Sequence, residues 1–158
     1  MWRRSPAQLP ASLFLLGLVV FALGALEALL ALLPPSSGDR ILTRVVLSVG
    51  LPLLFAWTVL AVTHHRQRFL QTGIALLGVE VLAELLLYPL SSLLNGVGSD
   101  WAAIPLMALL CMGLVWYLLA CANIWRAALD SGVGVALAVS VGYLVLSTAL
   151  VQQLLPST

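Results

Sequence analysis

Apolar residues run along this chain in five blocks of twenty or more positions, separated by short polar punctuation. The first block runs from Ser12 to Leu33 and stops at Pro34-Pro35-Ser36-Ser37-Gly38-Asp39-Arg40. The second, Ile41 to Thr63, carries Pro52 and ends at His64-His65-Arg66-Gln67-Arg68. The third, Phe69 to Leu94, contains Pro89, and the fourth, Trp101 to Trp125, contains Pro105. The fifth runs from Gly132 to Leu155. A block of about 20 mostly apolar residues is the length that crosses a hydrocarbon core as a helix. The pattern therefore predicts five spans.

None of the blocks shows the period-two alternation of a membrane barrel strand of about ten residues. An open sheet in lipid would leave backbone donors and acceptors unpaired, at several kcal/mol each, whereas a helix pairs them within itself. The predicted fold is all-α, a polytopic transmembrane helical bundle forming one domain over residues 1–158. Connections of about five to seven residues leave no room for a soluble domain between spans.

Composition agrees. Of 158 residues, 62% are hydrophobic and 8% charged, and the mean hydropathy is +1.11. A soluble domain carries about 25% charged residues, so this chain could not clothe a water-facing core. That excludes a secreted disulfide module, a nucleic-acid-binding protein and a disordered tail, and leaves the lipid bilayer as the expected surroundings. Cys111 and Cys121 lie on one predicted helix, about 15 Å apart along its axis, beyond disulfide reach. They read as small buried apolar residues.

The net charge is +1, from seven arginines, three Asp and three Glu, with no lysine. Arginines near span ends set orientation. With a cytoplasmic N-terminus, the inner side holds Arg3, Arg4, Arg66, Arg68 and Arg126, against Arg40 and Arg44 outside. Five against two predicts N-in and, with an odd number of spans, a C-terminus in the periplasm or outside the cell. Trp101 and Trp125 near span ends suit the interfacial aromatic belt. The apolar run after Arg3-Arg4 exceeds the about 7–15 residues of a signal peptide and is interrupted by Glu27, so it reads as a retained helix. An all-arginine basic set with abundant Ala and Leu suggests a bacterial inner membrane.

The acidic residues divide cleanly. Asp39, Asp100 and Asp130 lie between spans, while Glu27, Glu80 and Glu84 lie within them. An ionisable side chain at the membrane centre costs at least about 2.5–3.5 kcal/mol on insertion scales and marks a functional candidate. At about 1.5 Å per residue, Glu27 and Glu84 fall at one level in the outer half. Arg44 can reach that level from the second span, and Glu80, one turn from Glu84, shares its helix face. These four residues form the expected intramembrane polar cluster. It either joins helices, contacts a partner protein, or lines a proton or cation path.

Other features are read more plainly. His64, His65, Arg66 and Arg68 form an expected anchor at the lipid headgroups, since cations at a helix C-terminus complement its dipole. Gly134, Ala138 and Gly142 recur every four residues, a stripe that permits close helix packing inside the bundle or between subunits. Leu26-Glu27-Ala28-Leu29-Leu30 before Pro34-Pro35-Ser36-Ser37 echoes Ala83-Glu84-Leu85-Leu86-Leu87 before Pro89-Leu90-Ser91-Ser92. No metalloprotease, nucleophile-elbow, Walker or dinucleotide-binding motif is present, so no enzyme activity, metal or cofactor is expected.

Tyr88-Pro89 late in the third span and Gly142-Tyr143 in the fifth, with five closely spaced helices and a cytoplasmic N-terminus, resemble the Yip1-type membrane proteins. The likeness covers topology and implies a five-helix bundle with a role in membrane trafficking. The Asp-Leu-x-Gly-Pro type motif of the eukaryotic members is absent, and no family site residue carries over. Taken together, the sequence reads as an accessory or scaffold subunit of a membrane assembly, docking to a membrane-protein partner or to copies of itself. The alternative is a small transporter or channel subunit that uses the intramembrane glutamates.

Overall fold

The computed structural model describes residues 12–31, 38–96 and 100–154. Arg3 and Arg4, the Pro34–Ser37 punctuation and Val97–Ser99 lie outside the described residues, as do the side chains of Asp39, Arg40 and Asp100. The five blocks fold as five α-helices: α1 Leu13–Ala31, α2 Gly38–Val62, α3 Phe69–Gly96, α4 Asp100–Leu129 and α5 Val133–Leu154. All five are long and apolar enough to cross a membrane, and no strand occurs among the described residues. The protein is a multi-pass membrane protein with an all-α fold.

Helix α3 is the hub, packed against α1, α2 and α4. Helix α4 packs against α5, α1 against α2, and a slim contact between α2 and α5 closes the ring. Pro52, Pro89 and Pro105 sit inside α2, α3 and α4 without ending them. Each removes one intrahelical donor.

The outside and inside of the bundle reverse the soluble rule. Phe14 is 81% exposed, Phe21 74% and Trp101 88%, and exposed Leu and Val run along every helix. A soluble monomer does not expose that much contiguous apolar surface. Lipid covers it. Since lipid tails are as apolar as leucine, packing between helices rests on close van der Waals fit and on small residues. Ala56, Ala122, Ala128, Ala136 and Cys121 accordingly bring α2, α4 and α5 together around the buried Leu60 and Trp125. The Phe55 ring meets Trp125 edge-on at 5.8 Å and lies tilted against Tyr143 at 5.3 Å.

This seal closes the end of the bundle that carries the α2–α3 and α4–α5 turns, the closed end. Both turns stop their helix alike. The His65 N–H donates to Leu60 O at 2.8 Å across His64 at φ 60°, and the Ser131 N–H donates to Arg126 O at 3.3 Å across Asp130 at φ 48°. A bond of that span over a left-handed residue is the Schellman helix stop, usually made by glycine. Here a histidine and an aspartate carry it. A short 3-10 turn, Arg66–Arg68, then leads into α3.

Several expectations change at this level. The histidines lie in the turn, because α2 stops at Val62. Helix α4 continues past Trp125 and Arg126 to Leu129, and this extra turn buries Trp125, 1% exposed, inside the seal. Trp125 is therefore no interfacial belt residue, whereas Trp101 stays outside. Cys111 faces outward and only Cys121 is buried. The stripe of Gly134, Ala138 and Gly142 also faces outward, with nothing within 4 Å of where a Cβ would stand on either glycine. Inside the bundle α5 presents Ala136, Ser140 and Tyr143 instead. Small residues mark a permitted approach on either face, so the stripe alone does not say which one a neighbour uses.

Candidate functional site

Above the seal the helices separate around a cavity of about 660 Å³. Each helix contributes to its wall. Helix α1 gives Glu27, α2 gives Arg44 and Ser48, α3 gives Glu80, Glu84 and Tyr88, α4 gives Tyr117, and α5 gives Tyr143 and Ser147. The structure thus places all four members of the expected polar cluster on one wall system.

Depth follows from counting along each helix. From the closed end, Tyr143 is 10 residues up α5, Glu80 is 11 up α3 and Tyr117 is 12 up α4. At about 1.5 Å per residue, these three lie about 15–18 Å in, near the middle of the bundle. They meet there. Tyr117 Oη donates to Glu80 Oε1 at 2.7 Å and Tyr143 Oη donates to the same oxygen at 3.1 Å. One carboxyl on α3 therefore ties α4 and α5 across the cavity floor and leaves its second oxygen clear of both tyrosines.

About one helical turn higher, Arg44 Nε lies 3.1 Å from Glu27 Oε2. Glu27 is only 3% exposed, while the Arg44 side chain is half exposed. The contact is an ion pair by distance, but the guanidinium N–H does not aim along it, and Glu27 Oε2 accepts no hydrogen bond among the described residues. The pair compensates charge and leaves a buried acceptor open. Glu84 shares the cavity wall with them, and Tyr88 Oη reaches Leu30 O at 3.4 Å, fastening α3 to the last turn of α1. The acidic echo between the first and third blocks thus becomes two parallel, adjacent helices that aim a carboxyl each into one space.

The expected headgroup anchor divides. His64 and Arg66 are exposed, and Arg66 lies over the Trp57 ring at 5.9 Å. His65 Nδ1 sits 2.6 Å from Thr63 O, within its own turn. Arg68 turns toward the end of α4. Its Nη1 donates to Ala127 O at 2.8 Å and Ala128 O at 3.2 Å, and its Nη2 meets Asp130 Oδ2 at 2.7 Å. The last carbonyls of a helix have no intrahelical partner and carry the negative end of its dipole. A guanidinium from the α2–α3 turn is thus the cap of α4. The hydrogen bond from Arg68 holds the exposed Asp130 carboxyl below the usual carboxylate range.

Neither Tyr117 nor Tyr143 is among the site residues expected from sequence, where Tyr143 enters only with Gly142 in the family likeness, yet a signal is present. A tyrosine inside an apolar span needs an acceptor for its hydroxyl, and the counting that levels Glu27 with Glu84 also levels Tyr143 with Glu80, while Tyr117 comes level once α4 runs on to Leu129. Among the described residues, no three His, Cys, Asp or Glu side chains converge as metal ligands would. No family model, curated protein or solved structure matches the chain. Fold and site together define a five-helix membrane protein with a polar, carboxyl-lined cavity in one half of its bundle.

Proposed function

We propose that the protein binds an organic cation inside its bundle and works as a small transporter or as the binding subunit of one. The observation that carries this reading is the direction of the glutamates. All three face one cavity shared by five helices, and none lies on the lipid-facing rim, where a partner would meet it. Three carboxyl groups face a single guanidinium there, a wall suited to positive charge. The tyrosine rings on the floor add the aromatic faces to which cations are drawn. The sealed end makes the cavity one-sided, as a binding site that opens alternately would be. We place the closed end in the cytoplasm of a bacterial inner membrane, because Arg66, Arg68 and Arg126 lie at that end and Arg44 toward the other.

Tetramethylammonium is the simplest probe. It is expected to raise the unfolding temperature of the purified protein, with a smaller shift in Glu27→Gln, Glu80→Gln and Glu84→Gln and none in the triple variant. Proteoliposome uptake should fall in the same order. Equal binding by the triple variant would overturn the reading.

A second reading, the accessory subunit, is favoured by the outward stripe of Gly134, Ala138 and Gly142, which leaves α5 a face that another helix can approach closely. It predicts a stoichiometric partner retained in mild detergent and lost in Ala138→Leu.

A further inference from the structure

The cavity is bordered on one side by an apolar groove of about 460 Å³ between α2 and α5. We infer that the ligand is a lipophilic organic cation that reaches the cavity from the bilayer between α2 and α5, past Leu51. This inference rests on the cavity being the cation site proposed above, and it adds the ligand's apolar part and its route.

Several observations converge on it. Leu51 lines both spaces, so its side chain stands where cavity and groove meet. Beside it Phe55 belongs to the groove and Tyr143 to the cavity, and their rings touch at 5.3 Å. The boundary is therefore aromatic on both faces, which suits passage of a cation carrying apolar groups. Helices α2 and α5 also make the slimmest contact of the helix neighbours in the ring, which makes this the seam that parts most readily.

The groove also faces the right medium. Leu54 is 63% exposed, Val62 74% and Leu146 45%, all toward lipid. From Leu51 to Thr63 it follows α2 for about 18 Å, the length of an extended alkyl chain. Its walls are apolar apart from Thr58 and Thr63, whose hydroxyls donate back to Leu54 O and Val59 O in their own helix. The groove therefore offers no charged group, while the cavity behind Leu51 holds three carboxyls, among them Glu27 with its buried open acceptor. An amphiphile with a positive nitrogen satisfies both at once. The nitrogen sits among Glu80, Glu84 and the tyrosine rings, and the chain lies along α2. An anionic or zwitterionic lipid would set its own negative group against the same carboxyls.

The test compares tetramethylammonium with decyltrimethylammonium on the full protein in nanodiscs, by equilibrium dialysis with empty nanodiscs as the partition control. Affinity is referred to the aqueous probe concentration. Each buried methylene of a membrane-delivered chain favours binding, so the decyl probe is expected to bind about tenfold tighter or more. Leu51→Trp, at the boundary, and Leu146→Trp, on the exposed groove wall, are expected to remove most of that gain, and Leu146→Trp, which lies outside the cavity, to leave tetramethylammonium affinity unchanged. The Leu146 site keeps the test decisive if Leu51→Trp does not fold. Equal affinity of the two probes, or a chain-length gain untouched in Leu146→Trp, overturns the lateral route while the cation site stands. Binding of neither probe overturns the cation site itself.

Discussion

Replacing Tyr117 by phenylalanine removes one hydroxyl and nothing else. The ring stays in the bundle core, and what is lost is the 2.7 Å hydrogen bond to Glu80 Oε1. A hydrogen bond to a carboxylate contributes about 1.5–3 kcal/mol in soluble proteins. Interhelical hydrogen bonds in membranes average about 0.6 kcal/mol and reach about 1.7, because the unfolded chain in lipid also finds partners. A short contact to a carboxyl inside the bundle belongs at the upper end of the membrane range. Tyr117→Phe should therefore destabilise by about 1–1.5 kcal/mol. Tyr143→Phe, with the longer 3.1 Å bond to the same oxygen, should cost about 0.5 kcal/mol. The tilted contact of its ring with Phe55 survives the change.

The assay is reversible unfolding by sodium dodecyl sulfate from bicelles, followed through tryptophan fluorescence. Glu80→Leu supplies the second arm of a double-mutant cycle. Without that acceptor, each hydroxyl has lost the bond that ties its helix to α3, so removing it should cost little or nothing. If Tyr117→Phe costs the same with and without Glu80, the hydroxyl does not work through that carboxyl, and the tie across the cavity floor is refuted.

Arg44→Gln should destabilise by about 1–3 kcal/mol, below the about 3–5 of a fully buried pair because Arg44 is half exposed, and Glu27→Gln added to it should recover much of the loss. The same unfolding assay reads this, and a double variant no better than Arg44→Gln would contradict it. Asp130, held below its ordinary range by Arg68, adds stability that is complete above the unfolded carboxyl value and lost as pH falls through the lower folded one. Hydrogen exchange at the α4–α5 turn should therefore speed up only below about pH 4, and Arg68→Gln should abolish that acid step. His64→Gly should raise stability by up to about 1 kcal/mol, since glycine takes the left-handed conformation without a Cβ penalty. Ala136→Leu, in the seal, should cost about 1–3 kcal/mol by overpacking, while Ala138→Leu on the outward stripe should leave the isolated bundle unchanged.

The sequence by itself determined the medium, the number of spans and the shared level of Glu27 and Glu84. Each follows from one-dimensional quantities. Apolar length must match the bilayer, backbone polar groups must pair within a helix, and each residue adds a fixed rise. Those rules already set Glu27 level with Glu84 and Tyr143 level with Glu80, whereas Tyr117 joins them only because α4 runs a turn beyond Trp125. Direction around each helix was decided only by tertiary structure. In water an apolar stripe shows which face of a helix is buried. In lipid both faces are apolar, so that signal vanishes. Hence Gly134, Ala138 and Gly142 turned outward while Ala136 and Ser140 turned in, Trp125 plugged the closed end, and Arg68 capped a helix 59 residues away from it in the chain. The cavity has the same origin, because a shared space among five helices exists only once their neighbours and facing sides are fixed.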